Sequence, residues 1–131
     1  MGLKKLIIAS TLLFAAANAN DVMMKSMSQM ENGMIEIQKG FLNNNIELIN
    51  KGLKSVKEGN ALFSDEKVIA QYLPENKKHL VNVAKNAAER ITLSSSVLEL
   101  NLEEKAYINA TNAYSDMLNA CSRCHALVRN W

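Results

Sequence analysis

The sequence predicts an all-α protein, an antiparallel up-down-up-down four-helix bundle. Three observations carry that prediction. Pro occurs once and Gly five times in 131 residues, so few positions interrupt a helix. Hydrophobic residues make up 48% and aromatic residues only 5%, with Ala, Leu, Met, Glu and Lys abundant, which favours helices over strands. No segment alternates apolar and polar residues with period two, whereas several repeat with helical spacing. The length fits one domain, and the composition excludes a collagen, a β-sandwich or a disulfide scaffold.

Residues 1–19 have the pattern of an export signal. Lys4 and Lys5 precede the apolar run Leu6–Ala17, which ends in Ala17-Asn18-Ala19. A basic start, a short apolar core and an A-x-A site predict cleavage after Ala19. Twelve residues rise only about 18 Å as a helix, short of a ~30 Å hydrocarbon core. The working domain is then residues 20–131, exported to the periplasm without stable membrane insertion. Loss of Lys4 and Lys5 reduces the 15 basic residues to 13, equal to the 13 acidic ones. A balanced surface gives no basic stripe for nucleic acid and no polybasic patch for anionic lipid.

Four helices follow from the apolar periodicity. From Asp21, the residues Met23, Met27, Met30, Met34, Ile37 and Phe41 recur in steps of four and three, the seam of a packed helix. Asn43-Asn44-Asn45 ends it, and Asn44 with Glu47 reads as an N-cap and its capping partner. The second helix places Ile46, Ile49, Leu53 and Val56 on one face and ends near Gly59. A short turn of helix is expected from Ser64 to Tyr72. Pro74 opens the third long helix, with Leu80, Val83, Ala87, Ile91 and Ser94 or Leu98 inward. Asn101 and Glu104 repeat the capping spacing at the start of the fourth. That helix lines its inner face with Ala106, Ala110, Ala113, Met117, Cys121, Cys124 and Val128.

Both cysteines fall in Cys121-Ser122-Arg123-Cys124-His125, the C-x-x-C-H pattern of covalent haem attachment. Two thiols three apart on a helix can each form a thioether to one porphyrin vinyl group, with His125 next as proximal iron ligand. Three other chemistries compete. A disulfide oxidoreductase also uses C-x-x-C, but ordinarily after a strand and at a helix N-terminus. A zinc site needs a further ligand, and His79 alone is available outside the motif. A structural disulfide is at home in an exported protein, yet here it closes almost no loop.

An exported helical bundle with C-x-x-C-H late in its last helix resembles the class II cytochromes c, the cytochromes c′ and their low-spin relatives. Cys121, Cys124 and His125 match the attachment motif, and Arg129 matches the basic residue four after the histidine. Val128 stands where the family often has an aromatic residue, and the second helix is shorter than usual. The resemblance implies one covalent haem with His125 on the iron and Arg129 as a haem contact. It also implies periplasmic redox proteins as partners, and often a homodimer. Tyr114 and Trp131 are candidates to cover the haem edge.

In that family the first helix supplies the residue facing the other side of the iron. Met there makes an electron carrier, and an apolar residue leaves a five-coordinate iron that binds NO or CO. Met30 lies on the inner seam at the implied depth, and Met30-Glu31-Asn32-Gly33 resembles the stretch around the ligand Met of low-spin members. Met30 is therefore the expected distal ligand, Met27 the next candidate and Met34 after it, most of the Met stripe being core. His79 is a further candidate at the same end of the bundle, beside Lys77 and Lys78. The expected function is that of a non-enzymatic monohaem electron carrier. The alternative is a gas-binding haem protein.

Overall fold

In a computed structural model the backbone is described for residues 2–129 and the side chains for residues 20–129. The protein is all-helical, with no strand among the described residues. Its elements are α1 (Gly2–Leu42), α2 (Ile46–Asn60), α3 (Glu66–Tyr72), α4 (Val81–Glu103) and α5 (Tyr107–Val128). Short 3-10 segments, Ala61–Ser64 and Glu75–Leu80, flank α3. The features that define the expected leader, and Trp131, lie outside the described residues. Among the described residues no helix is long and apolar enough to cross a membrane.

The methionine seam is where its spacing puts it. Met30, Met34 and Ile37 are buried, with Met23, Met27 and Phe41 packed against the core. The helix starts far upstream of the expected Asp21, because the Ala-rich residues before it contain neither Pro nor Gly to stop it. Against this seam α2 packs antiparallel, through glycines seven residues apart on each helix: Gly33 and Gly40, Gly52 and Gly59. A Cβ on Gly33 would stand 2.6 Å from the Gly52 carbonyl oxygen, and one on Gly59 2.8 Å from that of Ser26. Backbone thus lies on backbone, and Lys51–Glu36 at 2.7 Å ties the rim.

Both helical hairpins turn on the same device: the Asn run ends α1 as expected, but Asn44 and Asn101 are not the N-caps expected of the helices that follow. Asn44 has φ 52° and Lys105 φ 57°, the left-handed conformation that ends many helices. The Asn45 N–H donates to the Gly40 carbonyl at 2.8 Å and the Asn44 N–H to that of Phe41 at 3.4 Å. Likewise the Ala106 N–H reaches the Asn101 carbonyl at 2.8 Å and the Lys105 N–H that of Leu102 at 3.1 Å. These are two Schellman ends. Asn44 therefore closes α1, and Asn45 caps α2, its side chain accepting from the Leu48 N–H at 3.0 Å. Asn101 and Glu104 belong to the end of α4, and α5 begins without a side-chain cap.

Three further expectations shift. Pro74 opens the 3-10 segment rather than the long helix, which starts at Val81. Val83 is 49% exposed and Ile46 41%, so the inner face of α4 runs through Ala84, Ala87, Ile91 and Leu98 instead. Ser94 and Ser95 are buried there too, with Ser95 Oγ donating back to the Ile91 carbonyl at 2.7 Å, which removes the cost of burying the hydroxyl.

α5 packs along α4, braced by Arg90–Asp116 at 2.7 Å. α2 joins α4 through Asn60, whose Nδ2 donates to the Ala88 carbonyl at 2.8 Å and Thr92 Oγ1 at 3.0 Å. A Lys57–Glu99 ion pair adds to that seam. Between α1 and α5 direct contact is sparse. There the rings of Phe41 and Tyr114 meet edge-on, centroids 6.3 Å apart, and beside them a cavity opens.

Candidate functional site

The cavity has a volume of about 530 Å³, within the ~300–1,000 Å³ of small-molecule and cofactor sites. Met27, Met30 and Met34 line it from α1, and Cys121, Cys124 and His125 from α5. Helical geometry explains the second set: residues three and four apart share a face, so the i, i+3, i+4 spacing of 121, 124 and 125 points all three one way. Arg129, one turn on, lines it as well, and its backbone N–H caps the helix on the His125 carbonyl at 2.8 Å. Arg123 is exposed, as a spacer within the motif should be.

A smaller cavity of about 50 Å³ also reaches His125 and Cys124, with Met23 and Met27 on its far side. Met27 therefore borders both spaces, Met30 and Met34 the large one alone. Met30 is only 6% exposed, and its Cγ lies in the space a Cβ on Gly59 would need, 2.6 Å from it. The glycine seam thus makes room for this side chain. Tyr114 borders the large cavity. His79 does not: it is exposed and lines neither space.

The electrostatics of the site follow mainly from burial. Burial holds both thiols above their ordinary pKa, with Cys124 adding to the shift of Cys121. A nucleophilic C-x-x-C needs the opposite shift. The cysteines are free, with no disulfide between them. His125 is pushed down, first by burial and then by the Arg129 charge, so its imidazole is neutral at pH 7, the form that binds a metal. Among the described residues no three His, Cys, Asp or Glu side chains converge as a site for a bare metal ion.

Two contributors escaped the sequence reading. Lys77 Nζ reaches across from the 3-10 segment to the carbonyls of Leu127 at 3.1 Å and Ala126 at 3.4 Å. It caps the last turn of α5, directly after the motif, and suits the negative end of the helix dipole. Asn60 lines the cavity while 5% exposed, and no protein donor among the described residues reaches its Oδ1. Neither has a signal in the sequence, because both act across long chain separations. No family model, curated protein or solved structure matches this chain.

Proposed function

We propose that this protein is a periplasmic class II c-type cytochrome, an up-down-up-down four-helix bundle that passes single electrons between redox proteins. What supports the reading is one observation: a single cavity joins the C-x-x-C-H side chains of α5 to the methionine stripe of α1. The donor set fits haem c. Cys121 and Cys124 would hold the group through thioethers, and His125, as a neutral imidazole, and Met30 would be the side chains that hold its iron. When bound, the haem supplies a one-electron iron centre.

The chain's own residues then keep that centre in place. The Lys77 cap fixes the turn that carries His125, and the Gly59 gap seats Met30. Arg129 puts a positive charge beside the site, and Met27, Phe63 and Ile91 keep much of the wall apolar. The leader at residues 1–19 would deliver the chain to the compartment where c-type haem is attached. A redox protein is the partner, and nothing in the reading calls for enzymatic chemistry.

The test is the protein purified from an export-competent host. The proposal expects a mass about 0.6 kDa above that of residues 20–131 alone, a c-type pyridine haemochrome, and a low-spin spectrum with a weak sulfur-to-iron band. Unmodified thiols would refute it. A broad high-spin spectrum would move the assignment to a five-coordinate haem protein that binds NO or CO.

A further inference from the structure

An apolar stripe runs down the outside of α4, where a surface helix ordinarily carries polar residues. Leu93 is 55% exposed, Val97 40% and Leu100 53%. Arg90 precedes them and Glu104 follows, both exposed, so the five positions recur in steps of three, four, three and four. That is the spacing of a seam along which two helices pack. On another side α4 meets α2 through Glu99, and the large cavity takes Ala88 and Ile91 from α4 but nothing from the stripe. On α1 the exposed apolar residues form no such run, because Ser28, Glu31 and Gln38 stand between Met24, Ile35 and Leu42.

We propose that this stripe joins two copies of the chain, as an antiparallel pair of α4 helices about a two-fold axis near Val97. Two observations select a second copy as the occupant. The apolar residues are nearly symmetric about Val97, with Leu93 before it and Leu100 after it, so antiparallel copies set leucine beside leucine. The two ends of the stripe are also opposite in charge. At one end a groove between α4 and α5 continues it, with Arg90 and Arg123 against Asp116. At the other stand the exposed Glu103 and Glu104 against Lys105. Antiparallel pairing lays the positive end of each copy on the negative end of the other, twice, as a two-fold interface requires. Parallel pairing would set like charge on like. Glu89, the carboxylate beside Arg90, is engaged by Lys85 of its own helix at 3.9 Å. Arg90 itself keeps N–H donors beyond its bond to Asp116. From Arg90 to Glu104 the seam is only about 21 Å long, so the pair forms reversibly and with concentration. The inference needs neither haem nor electron transfer, and so stands or falls apart from the proposed function.

The test uses the purified protein with whatever it carries. Sedimentation velocity over a concentration series should show a monomer–dimer equilibrium. Val97→Glu sets two carboxylates together at the axis and should leave a monomer with unchanged helix content, because the position is exposed. Leu42→Glu, at an exposed apolar position off the stripe, should still pair. Glu104→Arg should weaken pairing about tenfold, since two symmetry-related contacts turn repulsive, whereas Glu47→Arg, exposed but off the stripe, should not. Should Val97→Glu fail to fold, the two charge reversals still decide. A monomer at every concentration, a folded Val97→Glu protein that still pairs, or pairing that responds to Leu42→Glu or Glu47→Arg rather than to Glu104→Arg, would overturn the proposal.

Discussion

Gly33 and Gly52 face each other so closely that neither has room for a side chain. A Cβ on Gly52 would stand 2.5 Å from the Gly33 carbonyl oxygen, and one on Gly33 2.6 Å from that of Gly52. The obstacle on each side is backbone, which cannot rotate away. The α1–α2 contact is therefore set by main chain, and the depth of the methionine stripe behind it follows.

Gly52→Ala should destabilise the protein even though Ala is the better helix former. The helix-propensity gain of about 1 kcal/mol is opposed by an overlap that forces the helices apart, at a typical cost of ~1–3 kcal/mol. Urea unfolding of the variant should give a lower midpoint. An unchanged or raised midpoint would mean that the helices do not cross this closely.

Lys105→Gly should do the reverse. Lys105 sits at φ 57°, where a side chain costs roughly 1–2 kcal/mol relative to the right-handed region, while glycine gives back part of that gain through its freer unfolded chain. A net stabilisation of about 0.5–1 kcal/mol is expected, read as a higher thermal midpoint.

Met30→Ala in the haem-loaded protein should turn a low-spin spectrum high-spin, lower the reduction potential and create CO binding. The thioether that favours the ferrous state would be gone. Met34→Ala should keep the spectrum and cost about 2–5 kcal/mol in packing. If Met27→Ala is instead the variant that changes the spectrum, the distal ligand lies one turn earlier, on the side that also faces the smaller cavity.

Lys77→Ala should loosen the end of α5. It removes the donor to the Leu127 and Ala126 carbonyls, each bond to a charged group contributing about 1.5–3 kcal/mol at most and less when partly exposed. Amide exchange in residues 125–129 should accelerate while that of α2 stays unchanged.

In the haem-free chain both thiols should alkylate slowly at pH 7. Burial raises their pKa above that of an ordinary thiol, so the thiolate fraction grows only at higher pH, and the pH–rate profile for iodoacetamide should be displaced upward from that of a free thiol. Fast alkylation at neutral pH would favour the thiol-redox alternative.

The seam of α1 and the C-x-x-C-H motif were legible because each is a local pattern: a repeat of three and four, or five consecutive residues. Turn chemistry was legible only in kind. Asn44 and Asn45 both suit a helix end, and choosing which closes α1 and which opens α2 takes the backbone hydrogen bonds. Asn101 and Glu104 carry the spacing of a cap, yet α4 runs through them because Lys105 takes the left-handed position. Val83 and Ala84 differ in the opposite sense from hydropathy: a close α4 packing surface accepts the smaller side chain and leaves the larger outside. The four interior glycines read locally as weak points in two helices, and their use appears only when the helices are laid together. The cavity gathers Met30, Asn60, Ile91 and His125 from four helices, a convergence no local pattern encodes.

The sparse contact between α1 and α5 makes the molecule resemble a book, with the α2–α4 contact as its spine and two helical hairpins as its covers. Each cover is a local structure held by its own tight turn, so each can form early and alone. The fore-edge, where Phe41 rests on Tyr114, is the weaker side. A flat guest is expected to slip in there, edge first, between pages already printed on either side. Binding would then act as a clasp, and amide exchange in α1 and α5 should slow far more on loading than exchange along the spine.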